Sequence, residues 1–80
     1  MEFIATFFTH SGAVKYKRHM KSLGIEVELL PVPRRLSSDC GIGAKFTTSA
    51  DMSKLISDDI DKLFLVEKDG ERLVFDSQNQ

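Results

Sequence analysis

The run FIATFF, residues 3–8, is apolar on both of its alternating faces, with Phe3, Ala5 and Phe7 on one side and Ile4 and Phe8 on the other. A strand with that pattern has to be covered above and below, so it reads as a central strand of a sheet. The chain has 80 residues in all. At that length one small domain is the natural size, and nearly every other element must help to cover this strand.

The remaining patterns follow in order. THSGAVKYKRHMKSLG places Ala13, Tyr16, Met20 and Leu23 at helical spacing, with Thr9 or Ser11 as N-cap and Gly24 as a stop. IEVELLPV alternates Ile25, Val27 and Leu29 against Glu26 and Glu28, and Pro31 restricts that strand to an edge or an end. IGAKFTT puts Ile42, Ala44 and Phe46 on one face, with Gly43 allowing close packing on the other. Thr48 or Ser49 can cap a second helix reaching to about Ser57, with Met52, Leu55 and Ile56 inward. Acidic DDID then acts as a separator, and KLFLVEKDGERLVFD reads as a hairpin turning at Asp69-Gly70.

This order predicts an α+β fold, a ferredoxin-like split βαβ sandwich (βαββαβ) with one extra C-terminal strand. Residues 1–76 form the expected domain and 77–80 a disordered tail. No segment approaches the ~20 apolar residues of a membrane span. MEFIATFF has an acid where a secretory signal carries positive charge, so a cytoplasmic location is expected. Eleven basic residues against twelve acidic ones, a net charge of −1, lack the basic excess of nucleic-acid binders.

The chemistry concentrates in PVPRRLSSDCG, residues 31–41, which holds both prolines, two adjacent arginines and the single cysteine. One cysteine can form neither an internal disulfide nor a multi-cysteine metal cage. It is either a buried apolar filler or a single reactive group. The predicted topology runs the third strand antiparallel between the first two, so Cys40 should share one sheet end with Thr9, His10 and Ser11 and with Pro33, Arg34 and Arg35. The positive end of the first helix points to the same place. Cations and a helix N-terminus favour the thiolate, the reactive form of cysteine, whereas Asp39 opposes it. Gly41 permits an unusual backbone angle and close approach to the sulfur. GIG at 41–43 precedes a strand and so fails the context of a phosphate or dinucleotide loop. No metal or cofactor is expected.

The combination Pro31-x-Pro33-Arg34-x-x-Ser37-x-x-Cys40-Gly41, with Thr9-His10 and Ala13 at the helix start, resembles the small bacterial putative Se/S carrier-like proteins. The resemblance covers residues 1 to about 66. It implies that Cys40 carries sulfur or selenium, that Arg34, Ser37 and Gly41 shape its loop, and that a cysteine desulfurase or selenocysteine lyase donates to it while another protein accepts. It thus implies a carrier more than a stand-alone enzyme; Asp39 and Arg35 depart from the family pattern. Two alternatives remain open from the residues alone. One is a small-anion or ligand-binding module using the same arginines; the other is an interaction domain that pairs through an edge strand.

Overall fold

A computed structural model of the chain describes residues 1–36 and 40–78, with Arg34 described by its backbone alone. The elements run β1 (Glu2–Phe7), α1 (His10–Ser22), β2 (Glu28–Pro31), β3 (Ile42–Thr47), α2 (Met52–Leu55), β4 (Ile60–Glu67) and β5 (Gly70–Asp76), with a single 3-10 turn at Arg34–Leu36. The architecture is α+β. Five antiparallel strands form one sheet in the order β2-β3-β1-β4-β5, and two helices complete the βαββαββ sequence.

β1 sits in the middle, as its doubly apolar pattern requires. Phe3, Ala5 and Phe7 enter the main core with Ala13, Tyr16 and Met20 of α1, Ala44 and Phe46 of β3, and Leu55, Ile60 and Leu63. Ile4 faces the other way and forms a second cluster with Phe64 and Leu36. Phe8 departs from the expectation. It lies past the end of β1 and is 39% exposed, because the chain there turns into α1.

α1 is closed at both ends by its own sequence. Thr9 caps it by accepting the Gly12 N–H on Oγ1 at 2.9 Å. At the other end Gly24 takes φ +79, while the Gly24 and Ile25 amides bond the Lys21 and Met20 carbonyls at 3.0 and 2.9 Å. That is the Schellman pattern, with Ile25 folding back toward Met20 in the core. It also explains why β2 is shorter than the IEVELLPV alternation implies. The turn occupies Leu23 to Ile25, and pairing with β3 begins only at Glu28.

Two further expectations change. The second helix is a single turn, Met52–Leu55, rather than a run from a Thr48 or Ser49 cap to Ser57. Its end is fixed by burial: Leu55 is fully buried and its carbonyl accepts the Tyr16 hydroxyl at 2.7 Å. DDID is not a separator, since β4 starts inside it at Ile60. Asp61 is buried there, with its carboxylate 3.3 Å from Lys62 Nζ. Ser77 bonds back to the Asp61 carbonyl at 2.9 Å, and the Gln78 amide to Asp76 Oδ1 at 3.0 Å. The hairpin forms as expected, but its turn is Lys68-Asp69, between the paired Glu67 and Gly70, with Gly70 at φ +136 as the first residue of β5. Among the described residues no helix is long and apolar enough to cross a membrane.

Gly43 decides how the chain leaves the sheet. A Cβ on it would lie 2.7 Å from Val32 Cγ2 and 3.0 Å from the Ala5 carbonyl, so only glycine admits this approach. With that space free, Val32 lies over the second face of the sheet, and the chain continues across it to Leu36. Burying a leucine side chain contributes about 1.5–3 kcal/mol, which makes Leu36 the main anchor of this crossing.

Candidate functional site: a tethered cysteine at the sheet end

Cys40 enters β3 from the loop that follows β2. The base of that loop is clipped by the Val32 N–H bonded to the Gly41 carbonyl at 3.0 Å, just beyond the Pro31–Ile42 pair. Gly41 has φ +74 with open space where a Cβ would be, so the backbone turns there without obstructing the sulfur. Cys40 is half-buried against the edge of the main core, and its Sγ lies 3.3 Å from the Ile42 carbonyl, to which it donates.

His10 arrives from the other side. As the first residue of α1 it stands at the same sheet end, and its Nε2 lies 2.8 Å from the Cys40 carbonyl. A carbonyl only accepts, so Nε2 carries the hydrogen. The sequence therefore brings His10 and Cys40 together as expected. The contact is to the peptide of Cys40, through the ring nitrogen, and it positions the residue.

The expected cationic surroundings are divided differently. Arg35 is engaged by Glu71 of β5 through two bonds, Nε to Oε1 at 3.0 Å and Nη2 to Oε2 at 2.7 Å. This pair holds the Glu71 carboxyl below its usual range. Arg34 lies in the 3-10 turn. Ser37 and Asp39 lie outside the described residues. Thr9 is occupied in capping α1, and its Oγ1 is 3.2 Å from Ser11 Oγ. The helix N-terminus is also faced by an acid: a Cβ on Gly12 would lie 3.4 Å from Asp59 Cβ and 3.5 Å from its Oδ1. An acid placed there satisfies the positive end of α1 and works against a second anion.

Sequence reasoning missed Leu36, Glu71 and Asp59. Leu36 had a usable signal, as the one large apolar residue in an otherwise polar and proline-containing loop. Glu71 had none, being 36 residues from its partner. A groove of about 670 Å³ lies at the opposite end of the sheet, lined by Glu2, Lys17, Glu28, Lys45 and Thr47 among others.

The structure thus places a half-buried thiol, held through its own carbonyl by His10, at the end of a small α+β sheet. The chain belongs to the family described as Putative Se/S carrier protein-like, which matches it over residues 2–58. The match holds β1 through α2, with His10 and Cys40 inside it, and stops before β4 rather than running to about residue 66. Nothing among curated proteins or solved structures matches the chain significantly.

Proposed function

We propose that the protein carries sulfur or selenium on Cys40 and passes it to a partner protein. Family membership supports this reading. The single structural observation that carries it is the tethering of Cys40, whose carbonyl is held by His10 while its sulfur stands half-buried at the sheet end. A carrier needs one accessible thiol in a fixed place and no resolving cysteine in the same chain, and the sequence has one cysteine.

The step is an exchange of sulfane sulfur. The Cys40 thiolate attacks the terminal sulfur of a donor persulfide, R–S–SH; the new S–S bond forms as the donor S–S bond breaks, and the donor leaves as R–S⁻. Cys40 then bears –S–SH. No net oxidant or reductant is consumed, and the reverse exchange on an acceptor thiol unloads the carrier. Selenium follows the same course as a perselenide. His10 positions the loop, Gly41 clears the approach, and Arg34 and Ser37 are assigned to the loop around the loaded anion.

The donor assigned is a cysteine desulfurase or selenocysteine lyase, and the acceptor a protein thiol, acting in the cytoplasm where thiols stay reduced. α1 supplies a docking face: Lys15, Lys17, Arg18 and Lys21 are exposed on a helix that bears no acid. We also read the fold as ferredoxin-like. Two split βαβ halves interleave to give β2-β3-β1-β4, with β5 added outside, although α2 is only one turn long.

The test is to incubate the full chain with a cysteine desulfurase and cysteine and to read intact mass with and without reductant. A reducible gain of one sulfur on the wild type, absent from Cys40→Ala, is expected. No gain on the wild type, from a donor shown to be loaded, overturns the proposal.

A further inference from the structure

Arg35 and Glu71 belong to opposite edges of the sheet. Arg35 follows β2, the strand at one edge, and Glu71 lies in β5, the strand at the other. Four inter-strand steps of ~4.8 Å separate those edges, about 19 Å. The chain leaving β2 therefore crosses the whole second face of the sheet before its guanidinium meets the carboxylate. Leu36 marks the route, packed with Ile4 of β1 and Phe64 of β4, with Val32 and Val66 beside them.

The Cys40 loop is thus held at separate points. Val32 and Gly41 clip its base, and His10 holds the returning limb at the Cys40 carbonyl. Leu36 and Arg35 hold the outgoing limb on the far side. Apolar burial of Leu36 is strong but has no preferred direction. The two-bond fork between Arg35 and Glu71 is directional and fixes where along the face the segment sits. The Glu71 side chain is only 10% exposed, against 65% for Arg35, so the carboxylate is a built receptor and the arginine is the part that arrives. A carboxylate so covered requires bonds to its oxygens.

We infer that Glu71 is a positioning residue for Cys40: by receiving Arg35 it seats the loop across β1 and β4 and so fixes where the thiol emerges. Glu71, Phe64 and Val66 all lie beyond residue 58, outside the part of the chain that matches the family. The C-terminal hairpin then has a task, as the seat for the loop. The inference deepens the carrier reading and rests on it for its functional consequence, but the tether itself is independent of any cargo.

The experiment compares wild type, Glu71→Gln and the charge-swapped pair Arg35→Glu with Glu71→Arg. Two readouts are taken on the full chain under native conditions: the second-order rate of Cys40 alkylation by iodoacetamide, and amide hydrogen exchange across residues 32–36. Because the Arg35 half of the pair is solvent-exposed and Gln keeps the shape of Glu71, the effect is modest: Glu71→Gln should alkylate about two- to fivefold faster and exchange faster in that segment, with little change in Tm. The swapped pair should return both readouts to the wild-type values. Identical alkylation and exchange in Glu71→Gln and wild type overturn the inference, as does a swapped pair that stays as loose as Glu71→Gln. Neither readout uses sulfur or selenium transfer. A chain that fails to load yet shows both shifts sinks the carrier reading and leaves the tether standing.

Discussion

His10 Nε2 and the Cys40 carbonyl are 2.8 Å apart, which ties the first residue of α1 to a residue thirty positions later in the chain. The bond joins a rigid element to a loop. Rotation of the Cys40 peptide would move its side chain, so the imidazole, by holding that peptide, governs where the sulfur points. His10→Ala should cost about 0.5–1.5 kcal/mol or less of stability, in line with one hydrogen bond. It should change the iodoacetamide rate of Cys40 severalfold, and His10→Gln, whose amide can still donate, should recover part of the difference. Equal rates in wild type and His10→Ala would refute the positioning role.

The loop's departure depends on the missing side chain at Gly43. Gly43→Ala places a methyl 2.7 Å from Val32 Cγ2 and 3.0 Å from the Ala5 carbonyl, and backbone of the central strand cannot move aside cheaply. Overpacking of this kind costs about 1–3 kcal/mol. Urea unfolding of Gly43→Ala should show a midpoint lowered accordingly, with faster exchange at the Val32 amide that bonds Gly41. An unchanged midpoint would mean that Val32 is free to turn away.

Tyr16 is the largest fully buried side chain, and its hydroxyl donates to the Leu55 carbonyl at 2.7 Å. Phe7 and Phe46 flank the ring, with centroids 5.2 and 5.9 Å away. Tyr16→Phe keeps the packing and leaves the Leu55 carbonyl unpaired, an expected loss of about 1–3 kcal/mol. Burial pushes the Tyr16 phenol above its ordinary range. Its folded value is raised, so its contribution is complete below the ordinary tyrosine pKa and is lost as pH rises through the folded value. The gap between wild type and Tyr16→Phe should therefore narrow in strong alkali, measured by denaturant titration at each pH.

How much of this could be read from the residues differs by element, for physical reasons. The central place of β1 was legible because two apolar faces leave a strand no other position. The caps of α1 were legible too, since Thr9 and Gly24 act within a few residues of themselves. β2 and α2 were over-extended because tertiary contacts set their ends: the Schellman turn at Gly24 takes residues from the one, and the buried Leu55 stops the other. The meeting of His10 with Cys40 followed from strand order. The diversion of Arg35 to Glu71 did not, because two adjacent arginines before a cysteine look alike in sequence, and only the fold of the loop over Ile4 and Phe64 separates them.

Glu71 gives an acid-side test. Its bond to Arg35 lowers its folded pKa, so its contribution is present above the ordinary carboxylate range and is lost as pH falls through the lowered value. Glu71→Gln cannot ionise. The difference in segment 32–36 exchange between wild type and Glu71→Gln should hold from neutral pH down through the ordinary carboxylate range, then vanish below it. A difference that persists unchanged into strong acid would assign the effect to the shape of the side chain rather than to its charge.

The docking face proposed for α1 is tested by salt. The chain as a whole is net −1, yet α1 presents Lys15, Lys17, Arg18 and Lys21 with no acid of its own, which leaves the rest of the chain negative. None of these four is in an ion pair with another part of the protein among the described residues. Their field is therefore available to a partner, and it would steer an acidic surface onto the helix whose first residue holds Cys40. The double reversal Lys17→Glu with Arg18→Glu should slow sulfur loading from the desulfurase about tenfold at low ionic strength and flatten its salt dependence, because steering changes association more than the bound complex. Iodoacetamide alkylation of Cys40 should stay at the wild-type rate, since the reagent is neutral and the substitutions are remote from the loop. If wild-type loading does not fall between low and high salt, the helix face has no part in docking, and the partner must meet the thiol through other surfaces.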